Sequence, residues 1–359
     1  MKIIQIECLI LDKSFPFIIV HTDEGFTGIG ECFRRQPMIT KSVIDNILGP
    51  ALLGKNPIHI EDRYNDMIIA GSALEIGGAI WIAIAGIDIA LWDIKGKALG
   101  LPIYQLMGGK VREQVPVYAS SMNRDLAPIE EARRAAHFVD IGYRAYKLHS
   151  AVPGKIDDPA DRTINTVSEV RNAVGDNIDI LVDVNGAYSV HHAIEIGLQL
   201  EQLGVFHFEE PRPHYDFDGL AKISDALAIP IASGENLYTL YEYRDLLVRG
   251  KVDIIQPDVV KTSGFPSLIN ITTIAESFGC PITCHNTQPT VSTVAHAHFA
   301  VAMTGVPYAQ EYNIEHISIR DDKPILSEPL TISEGLLEVP DGPGLGIELN
   351  MTSVRTLSG

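Results

Sequence analysis

Three acidic residues recur at a fixed spacing in the middle of this chain, and each ends a short apolar run. Asp183, Glu209 and Glu235 are separated by 26 residues in both steps. That spacing accommodates a strand, a helix and two loops, which form the repeating unit of a parallel sheet. Three carboxylates at neighbouring strand ends would repel one another unless a cation lay between them. Because all the ligands would be oxygens, we expect Mg²⁺, with Mn²⁺ as the second choice, at one ion per subunit.

An aspartate and a histidine continue the same spacing further along the chain. Asp258 and His285 are 27 residues apart, so they would end adjacent strands beside the metal site. A carboxylate bonded to one imidazole nitrogen fixes the tautomer, raises the imidazole pKa and leaves the other nitrogen as a base. A structural histidine is the usual alternative, but the three nearby carboxylates favour a general base.

Other ionisable or polar residues occupy the ends of the remaining runs. Lys147 and His149 lie on the same side of one run, because side chains alternate along a strand. Further candidates for catalysis or substrate binding are Asn185, Lys261, Glu311, and the loop pair Arg34 and Arg35. The two arginines suit a clamp for a distal anionic group, and the alternative is a solvated basic pair. Buried Lys and Glu are rare without partners, so packing does not explain this concentration.

The elements that must position these residues form an alternating pattern over the second part of the chain. Helices are expected at 130–139, 163–174, 189–203 and 238–249, with Ser189 as an N-cap. Between them, strand-like runs lie near residues 115–119, 144–149, 179–184, 205–210, 229–234, 253–257, 280–285 and 308–311. No dinucleotide-binding fingerprint follows any run, so a β/α barrel is favoured over an open doubly wound sheet. The candidate residues fall at the C-terminal ends of the runs, where the active sites of such barrels lie.

The first part of the chain has a different pattern, which indicates a separate unit. Residues 1–33 alternate as a small meander, and a long apolar helix is expected from Ser72 to Lys97. The consecutive glycines Gly108 and Gly109 then stop a helix, which predicts a domain boundary near 110–115. After Tyr312 no helix of the barrel type is expected, and the tail is predicted to return to the N-terminal unit.

Composition and charge exclude several classes of protein. The 359-residue chain is 46% hydrophobic and 21% charged, which is typical of a well-packed globular protein. A formal net charge of −18 argues against nucleic acid or an anionic membrane as a partner. The four cysteines form no metal-binding or redox pair, so we expect reduced thiols in a cytoplasmic protein. No signal peptide and no membrane-spanning run is predicted.

Together these motifs resemble the mandelate racemase subgroup of the enolase superfamily, over essentially the whole chain. The matching segments are 90–93, 96–100, 106–109, 183–185, 209–211, 233–235, 256–261 and His285. The resemblance implies an α/β fold: a modified (β/α)₇β TIM barrel with an α+β capping domain built from the N-terminal region and the C-terminal tail. The expected domains are a cap at 1–114, a barrel at 115–325 and a returning tail at 326–359. The resemblance also implies Mg²⁺ on Asp183, Glu209 and Glu235, with the His285–Asp258 pair as general base.

The chemistry that this resemblance implies is removal of the proton α to a carboxylate, with an enediolate intermediate. Lys147, and Glu311 if it is protonated, could assist at the substrate carboxylate. Many members of the subgroup carry Lys-x-Lys on the second strand, whereas this chain has Lys147-Leu148-His149. His149 is therefore a candidate second base, a hydroxyl ligand or a residue that orients Lys147, and we favour the last two roles.

Dehydration of an acid sugar to a 2-keto-3-deoxy acid is the reaction we expect, which makes the protein a lyase. A dehydratase can use one histidine, whereas a racemase or epimerase of a 2-hydroxy acid or amino acid derivative needs bases on both faces. That isomerase is the alternative, and a non-catalytic binding protein is the least favoured. Specificity is expected from the loops 11–15 and 32–38 and from Lys155, and the resemblance favours a homo-oligomer.

Overall fold

The computed structural model describes residues 1–71 and 76–358, and its N-terminal part is built on an antiparallel meander of three strands. These strands are Ile3–Leu11, Phe15–Thr22 and Thr27–Glu31, and each pairs with the next. Around them lie helices Pro37–Val43, Gly49–Leu52, Ile60–Gly71, Gly78–Leu99 and Ile103–Leu106, and the π-helical turn Ile44–Leu48. The predicted meander at 1–33 therefore agrees with the observed strands.

The long helix of the cap packs on the meander at very short range. A Cβ on Gly28 or Gly30 would overlap the helix backbone at Ala90 or Gly86, so these strand positions require glycine. The helix starts at Gly78, later than predicted, because Gly77 has φ 93° and ψ −162°, which no α-helix accommodates. Residues 72–75 of the predicted helix lie outside the described residues.

Parallel strands form the second part of the molecule, and we number them one to eight in chain order. They are Gln114–Ser120, Ala145–His149, Asp179–Asp183, His207–Glu209, Ile231–Ser233, Ile254–Ile255, the segment 280–285, and Gln310–Asn313. Strands one to six pair in sequence, and strand eight pairs with strand one, which closes the barrel. The predicted α/β fold, a modified TIM barrel with a separate N-terminal cap, is confirmed.

Strand seven is much weaker than the sequence predicts. In the described chain it pairs with strand six through a single bridge, Ile255 with Ile282. Pro281 has no N–H to donate, and the N–H of Cys284 donates to the Gln310 side chain at 2.8 Å instead of to a strand.

Helices cover the outside of the barrel and return the chain between strands. They are Pro128–Asp140, Thr163–Val174, Val190–Gln202, Phe217–Ala226, Leu240–Asp245 with the π-helical extension Leu246–Gly250, Phe265–Ser277 and Val291–Ala302. Ser189 is an N-cap as predicted, since its side chain accepts a hydrogen bond from the N–H of His192. Over the described residues, no helix is long and apolar enough to cross a bilayer.

The C-terminal tail contacts both parts of the molecule. After the π-helical turn Ser318–Asp322, the tail contains strands Ile332–Ser333 and Leu336–Glu338 and helix Met351–Leu357. Its second strand pairs antiparallel with barrel strand one, whereas the Leu345 N–H donates to Asp93 of the cap at 2.9 Å. The boundaries 1–114, 115–325 and 326–359 stay predictions.

Candidate active site

The three spaced carboxylates converge at the C-terminal end of the barrel. Register explains the convergence, because Asp183 pairs directly with Glu209 across strands three and four. Ligand oxygens of Asp183, Glu209 and Glu235 all lie within 4.8 Å of one another, and all three residues are buried. A group of this size and donor type fits one hard divalent cation.

The electrostatics of this cluster also favour a cation. Burial, with added repulsion from Asp183 and Glu209, raises the pKa of Glu235 to about 7. Burial and the neighbouring Glu235 raise the pKa of Glu210 well above its usual value. Oε2 of Glu209 is buried and has no hydrogen-bond partner among the described residues. The residues present therefore fit a bound metal, which would supply the missing partner and relieve the repulsion.

Lys147 is the main cation of the protein in this cluster. Its Nζ lies 2.9 Å from Glu209 Oε1, 2.8 Å from Glu311 Oε1 and 3.7 Å from Asp183 Oδ2, and the residue is 1% exposed. Although burial opposes its charge, Glu209 and Glu311 raise the pKa of Lys147 well above its usual value. Lys147 is therefore a fixed positive charge beside the proposed metal ligands.

Glu311 is arranged as an acceptor. Oε1 accepts from the Ser120 hydroxyl at 2.6 Å and pairs with Lys147, and Oε2 accepts from the Asn286 N–H at 2.8 Å. All three contacts come from donors, so both carboxylate oxygens of Glu311 serve as acceptors. The geometry favours Glu311 as the residue that holds Lys147.

His149 is held at both ring nitrogens. Nδ1 lies 2.6 Å from the Ser121 carbonyl oxygen, and Nε2 lies 2.8 Å from Asp183 Oδ2. Both partners are oxygen atoms that accept hydrogen bonds. Despite the cost of burial, His149 and Lys147 lower the pKa of Asp183. This geometry favours an orienting role for His149, toward Asp183 rather than toward Lys147, over that of a second base.

The Asp258–His285 pair forms as the spacing predicts. Nδ1 of His285 lies 2.7 Å from Asp258 Oδ2, and Nε2 points into the site, 3.3 Å from Glu235 Oε2. The expected rise in the histidine pKa is wrong: burial, and then Lys261 and Lys147, lower the pKa of His285 well below its usual value. The aspartate cannot outweigh burial among so many cations, so the imidazole is neutral and can accept a proton at Nε2.

His296, on the helix after strand seven, has a structural role. Its Nδ1 bonds to the Ser292 carbonyl oxygen at 2.9 Å, and its Nε2 accepts from the Val259 N–H at 3.1 Å. Burial lowers its pKa to about 4. These bonds support the loop that carries Asp258.

The other candidate residues lie around the same cavity. Asn185 donates to Asp183 through its backbone N–H at 2.8 Å and its Nδ2 at 3.1 Å, so it supports a proposed metal ligand. Lys261 donates to the Glu235 carbonyl oxygen at 2.7 Å and lies over the Phe33 ring, 4.4 Å from its centroid. Arg34 and Arg35 reach the cavity from the cap, as the clamp hypothesis requires.

One cavity of about 590 Å³ contains these groups. Its floor includes Lys147, His149, Glu235 and His285, and its rim comes from residues 33–35, 153–154, 156 and 213–215. The predicted specificity loop 32–38 thus contributes to the rim. None of the residues 11–15 lines the cavity among those described, nor does Lys155, which is exposed and pairs with Asp158 at 3.5 Å.

Three residues of the site were not singled out from the sequence. Glu210 was noted only as part of a motif, although its buried carboxylate accepts from Asn236 Nδ2 at 3.1 Å beside the metal ligands. Arg124 follows barrel strand one and donates to the Asn185 side chain. Phe33 precedes the two loop arginines and lies 6.0 Å from the His285 ring, centroid to centroid. The position of Arg124 after a strand end was the signal that could have identified it.

The chain matches two family models that together span most of its length. Residues 10–108 match the N-terminal domain of mandelate racemase and muconate lactonizing enzyme, and residues 130–353 match the enolase C-terminal domain-like model. The chain therefore belongs to the mandelate racemase/muconate lactonizing enzyme family of the enolase superfamily, which confirms the resemblance.

Several characterised relatives are similar along nearly the whole chain. D-xylonate dehydratase of Haloferax volcanii is 31% identical over 99% of this chain and 88% of that protein. Arabinonate dehydratase of Saccharolobus solfataricus is 32% identical over 91% and 86%, respectively. D-galactarolactone cycloisomerase of Agrobacterium fabrum is 33% identical over 94% and 89%.

A solved structure supports the same assignment. The mandelate racemase/muconate lactonizing protein of Paracoccus denitrificans, complexed with magnesium, superposes with a TM-score of 0.93 at 30% identity. The match covers 99% of this chain and 96% of that one.

Proposed function

We propose that this protein is a Mg²⁺-dependent dehydratase that converts an acid sugar to a 2-keto-3-deoxy acid. The observation that carries the proposal is the position of His285, whose Nε2 lies 3.3 Å from Glu235 Oε2 of the carboxylate cluster. A base in that position can reach the α-proton of a substrate whose carboxylate is bound there. The dehydratase relatives confirm the predicted enzyme class, a lyase.

Asp183, Glu209 and Glu235 would hold the Mg²⁺ ion. When bound, the ion would supply positive charge to a substrate carboxylate that gains electron density as the α-proton leaves. Lys147 adds a second positive charge that Glu209 and Glu311 hold in place. Mn²⁺ suits the same oxygen ligands and stays the second choice.

His285 performs both proton transfers of the proposed reaction. Neutral Nε2 takes the α-proton, and Asp258 stabilises the resulting imidazolium through the 2.7 Å bond at Nδ1. The same Nε2 then returns the proton to the β-hydroxyl, which leaves as water. The remaining enol tautomerises to the 2-keto acid, so no further reactant is needed.

The racemase or epimerase alternative has less support. It requires a second base on the opposite face of the α-carbon, and His149 is the only candidate that the sequence offered. In the described structure its Nδ1 lies 2.6 Å from the Ser121 carbonyl oxygen and its Nε2 lies 2.8 Å from Asp183 Oδ2, whereas the Nε2 of His285 lies 3.3 Å from Glu235 Oε2. A dehydratase needs one base only, and the Nε2 of His285, which has the longer contact of the two, is the candidate for that base.

The test is an incubation of the protein with a panel of aldonic and aldaric acids and Mg²⁺. Semicarbazide traps 2-keto products, and parallel reactions in D₂O report exchange of the α-proton. We expect a 2-keto product from at least one acid and no product after chelation of the metal. Exchange that interconverts two epimers without any 2-keto product would replace the dehydratase with the isomerase.

Two further expectations go with this proposal. A homo-oligomer stays a prediction from the family resemblance. All four cysteines are buried and unpaired, which agrees with the expected reduced, cytoplasmic environment.

A further inference from the structure

Four cationic side chains from separate parts of the chain line the active-site cavity. Arg34 and Arg35 come from the cap, Arg124 from the loop after strand one, and Lys261 from the loop after strand six. Their exposure increases outward: Lys261 is buried, Arg34 and Arg124 are partly buried, and Arg35 is exposed at the mouth. They therefore line the cavity above the buried Lys147.

None of these four cations forms an ion pair with a carboxylate within 4.0 Å in the described chain. Arg34 donates to the backbone and side-chain oxygens of Thr287. Arg124 donates to the side chain of Asn185 and to the Met122 carbonyl oxygen, which is 3.2 Å away. The Nε of Arg124 is buried without a hydrogen-bond partner. A buried guanidinium with an unused donor is costly unless a ligand supplies the acceptor.

The cations also repel one another, and Arg35 is the centre of that repulsion. Burial lowers the pKa of Arg34, and the charge of Arg35 lowers it further. Burial also lowers the pKa of Arg124; the carboxylates Asp183 and Glu235 oppose this shift, whereas the charge of Arg35 adds to it. Like charges gathered around one cavity are relieved by an anionic ligand.

The substrate carboxylate next to the reacting carbon does not account for these cations. That group belongs near the three carboxylates and Lys147 at the floor, which the proposed Mg²⁺ ion would neutralise. Arg35 lies at the mouth, beyond Phe33, whose ring centroid is 5.9 Å from its guanidinium carbon. A second anionic group, at the far end of the substrate, would meet Arg35 first.

We propose that the substrate is a sugar diacid, an aldarate, whose distal carboxylate binds Arg35 with help from Arg34 and Arg124. This inference rests on the proposed dehydratase function and narrows its substrate class. A guanidinium offers two parallel donors to a carboxylate, which makes the contact specific as well as strong. An aldonate ends in a neutral hydroxymethyl group and would leave the arginines unpaired.

The experiment compares acids that differ only at the far end. Galactarate and D-galactonate, and D-glucarate and D-gluconate, are assayed with Mg²⁺ for 2-keto products, and kcat/KM is determined for each. We expect a diacid to exceed its matched monoacid by about tenfold or more, the usual scale of a charge-assisted pair. A monoacid that matches or exceeds its diacid overturns the inference and leaves the dehydratase intact. Turnover of none of these four acids overturns the diacid inference, and the absence of a 2-keto product from the whole panel of aldonic and aldaric acids overturns the proposed function as well.

Substitutions at the mouth test the residue assignment. R35Q should reduce the diacid-to-monoacid ratio of kcat/KM by about tenfold, and R35K should keep part of it. R133Q, at an exposed arginine of helix Pro128–Asp140, is the matched control and should leave the ratio unchanged. An R35Q ratio equal to that of the wild-type protein overturns the proposal.

Binding without turnover provides a second readout. In the H285N background with Mg²⁺, calorimetry should show weaker diacid binding after R35Q. Binding of 6-phosphogluconate is measured in the same way, because arginine binds both a distal carboxylate and a distal phosphate and the two must be distinguished. Tighter binding of the phosphate ester than of D-glucarate would replace the distal carboxylate with a distal phosphate and overturn the diacid assignment.

Discussion

The floor and the rim of the active-site cavity are built in different ways. On the floor, each functional group leaves the end of a strand, and several bonds hold it: Lys147 alone contacts three carboxylates. On the rim, Arg35 and Arg124 lie on loops and have no carboxylate partner in the described chain. The contacts within the protein already fix the positions of the floor groups, whereas the rim arginines would gain a carboxylate partner only from a bound ligand. Proton abstraction should therefore depend on the floor, and the choice of acid on the rim.

The largest expected effect is loss of the floor base. H285N should reduce kcat for 2-keto acid formation by about 10³-fold or more, because one imidazole performs both proton transfers. Trapping with semicarbazide measures the product, and α-proton exchange in D₂O should disappear in parallel. H191N, at an exposed histidine on helix Val190–Gln202, is the control and should behave like the wild-type protein. Retention of kcat within tenfold in H285N would remove His285 from the mechanism.

The next effect concerns Glu31, the buried carboxylate that joins the rim to the floor. It accepts bonds from Gln288, Thr290 and the Ser292 N–H, all in the segment after His285. Burial raises its pKa from 4.5 to about 7 despite these donors. Because the folded chain binds this proton more tightly than the unfolded chain, its contribution to the free energy of unfolding falls as pH rises from about 4.5 to 7.

The measurement for Glu31 is denaturant unfolding of the wild-type protein and E31Q at pH 5 and pH 8. Relative to E31Q, the wild-type protein should lose up to about 3 kcal/mol of unfolding free energy between these pH values. The wild-type protein and E31Q share all other titrating groups, so the difference between their pH-dependent unfolding free energies reports on Glu31 alone. Parallel pH profiles for the two proteins would mean that Glu31 has the same pKa folded and unfolded.

A smaller effect is expected from His149, which distinguishes an orienting residue from a base. H149F removes the bond to Asp183, and the apparent Mg²⁺ affinity should fall by about 10- to 100-fold. Saturating Mg²⁺ should then restore most of the turnover. Metal titration with product formation as the signal measures both quantities. Unchanged metal affinity with a large loss of kcat would indicate a catalytic base instead.

The smallest effect is predicted at Lys155 on the outer surface of the rim. Its only ion pair among the described residues is the exposed contact with Asp158, and exposed pairs contribute about 0–1 kcal/mol. K155A should change kcat/KM by less than about twofold for any acid and unfolding free energy by less than about 0.5 kcal/mol. A larger change in substrate preference would mean that Lys155 contributes to substrate selection at the rim.

The floor was largely predictable from the sequence, and the rim was not. Regular strand spacing places Asp183, Glu209 and Glu235 at neighbouring strand ends, so local pattern determined their convergence. The orientation of His149 depends on the carbonyl oxygen of Ser121, just beyond the end of strand one, which no spacing reveals. The lowered pKa of His285 depends on burial and on Lys261 and Lys147, which are distant in sequence.

Loop geometry explains the remaining errors. Arg124 and Phe33 reach the cavity because loops from two domains meet there, and periodicity carries no information on where such loops go. Lys155 was expected at the cavity because it follows strand two, yet its neighbours Pro153, Gly154 and Ile156 line the rim instead. The late start of the long helix depended on one glycine conformation at residue 77.

The bonds of Glu31 have a consequence for the route of substrate entry. The cap segment that carries Arg34 and the segment after His285 are tied together, since Gln288 also bonds to Cys32 and Arg34. Lifting this side of the cap would displace the loop that follows the base. Substrate and product should therefore enter and leave past residues 153–156 and 213–215. These segments flank strand three, which lies opposite strand seven in the barrel. Backbone amides there should exchange with solvent faster than those of 287–292, and a bound acid should slow that exchange most.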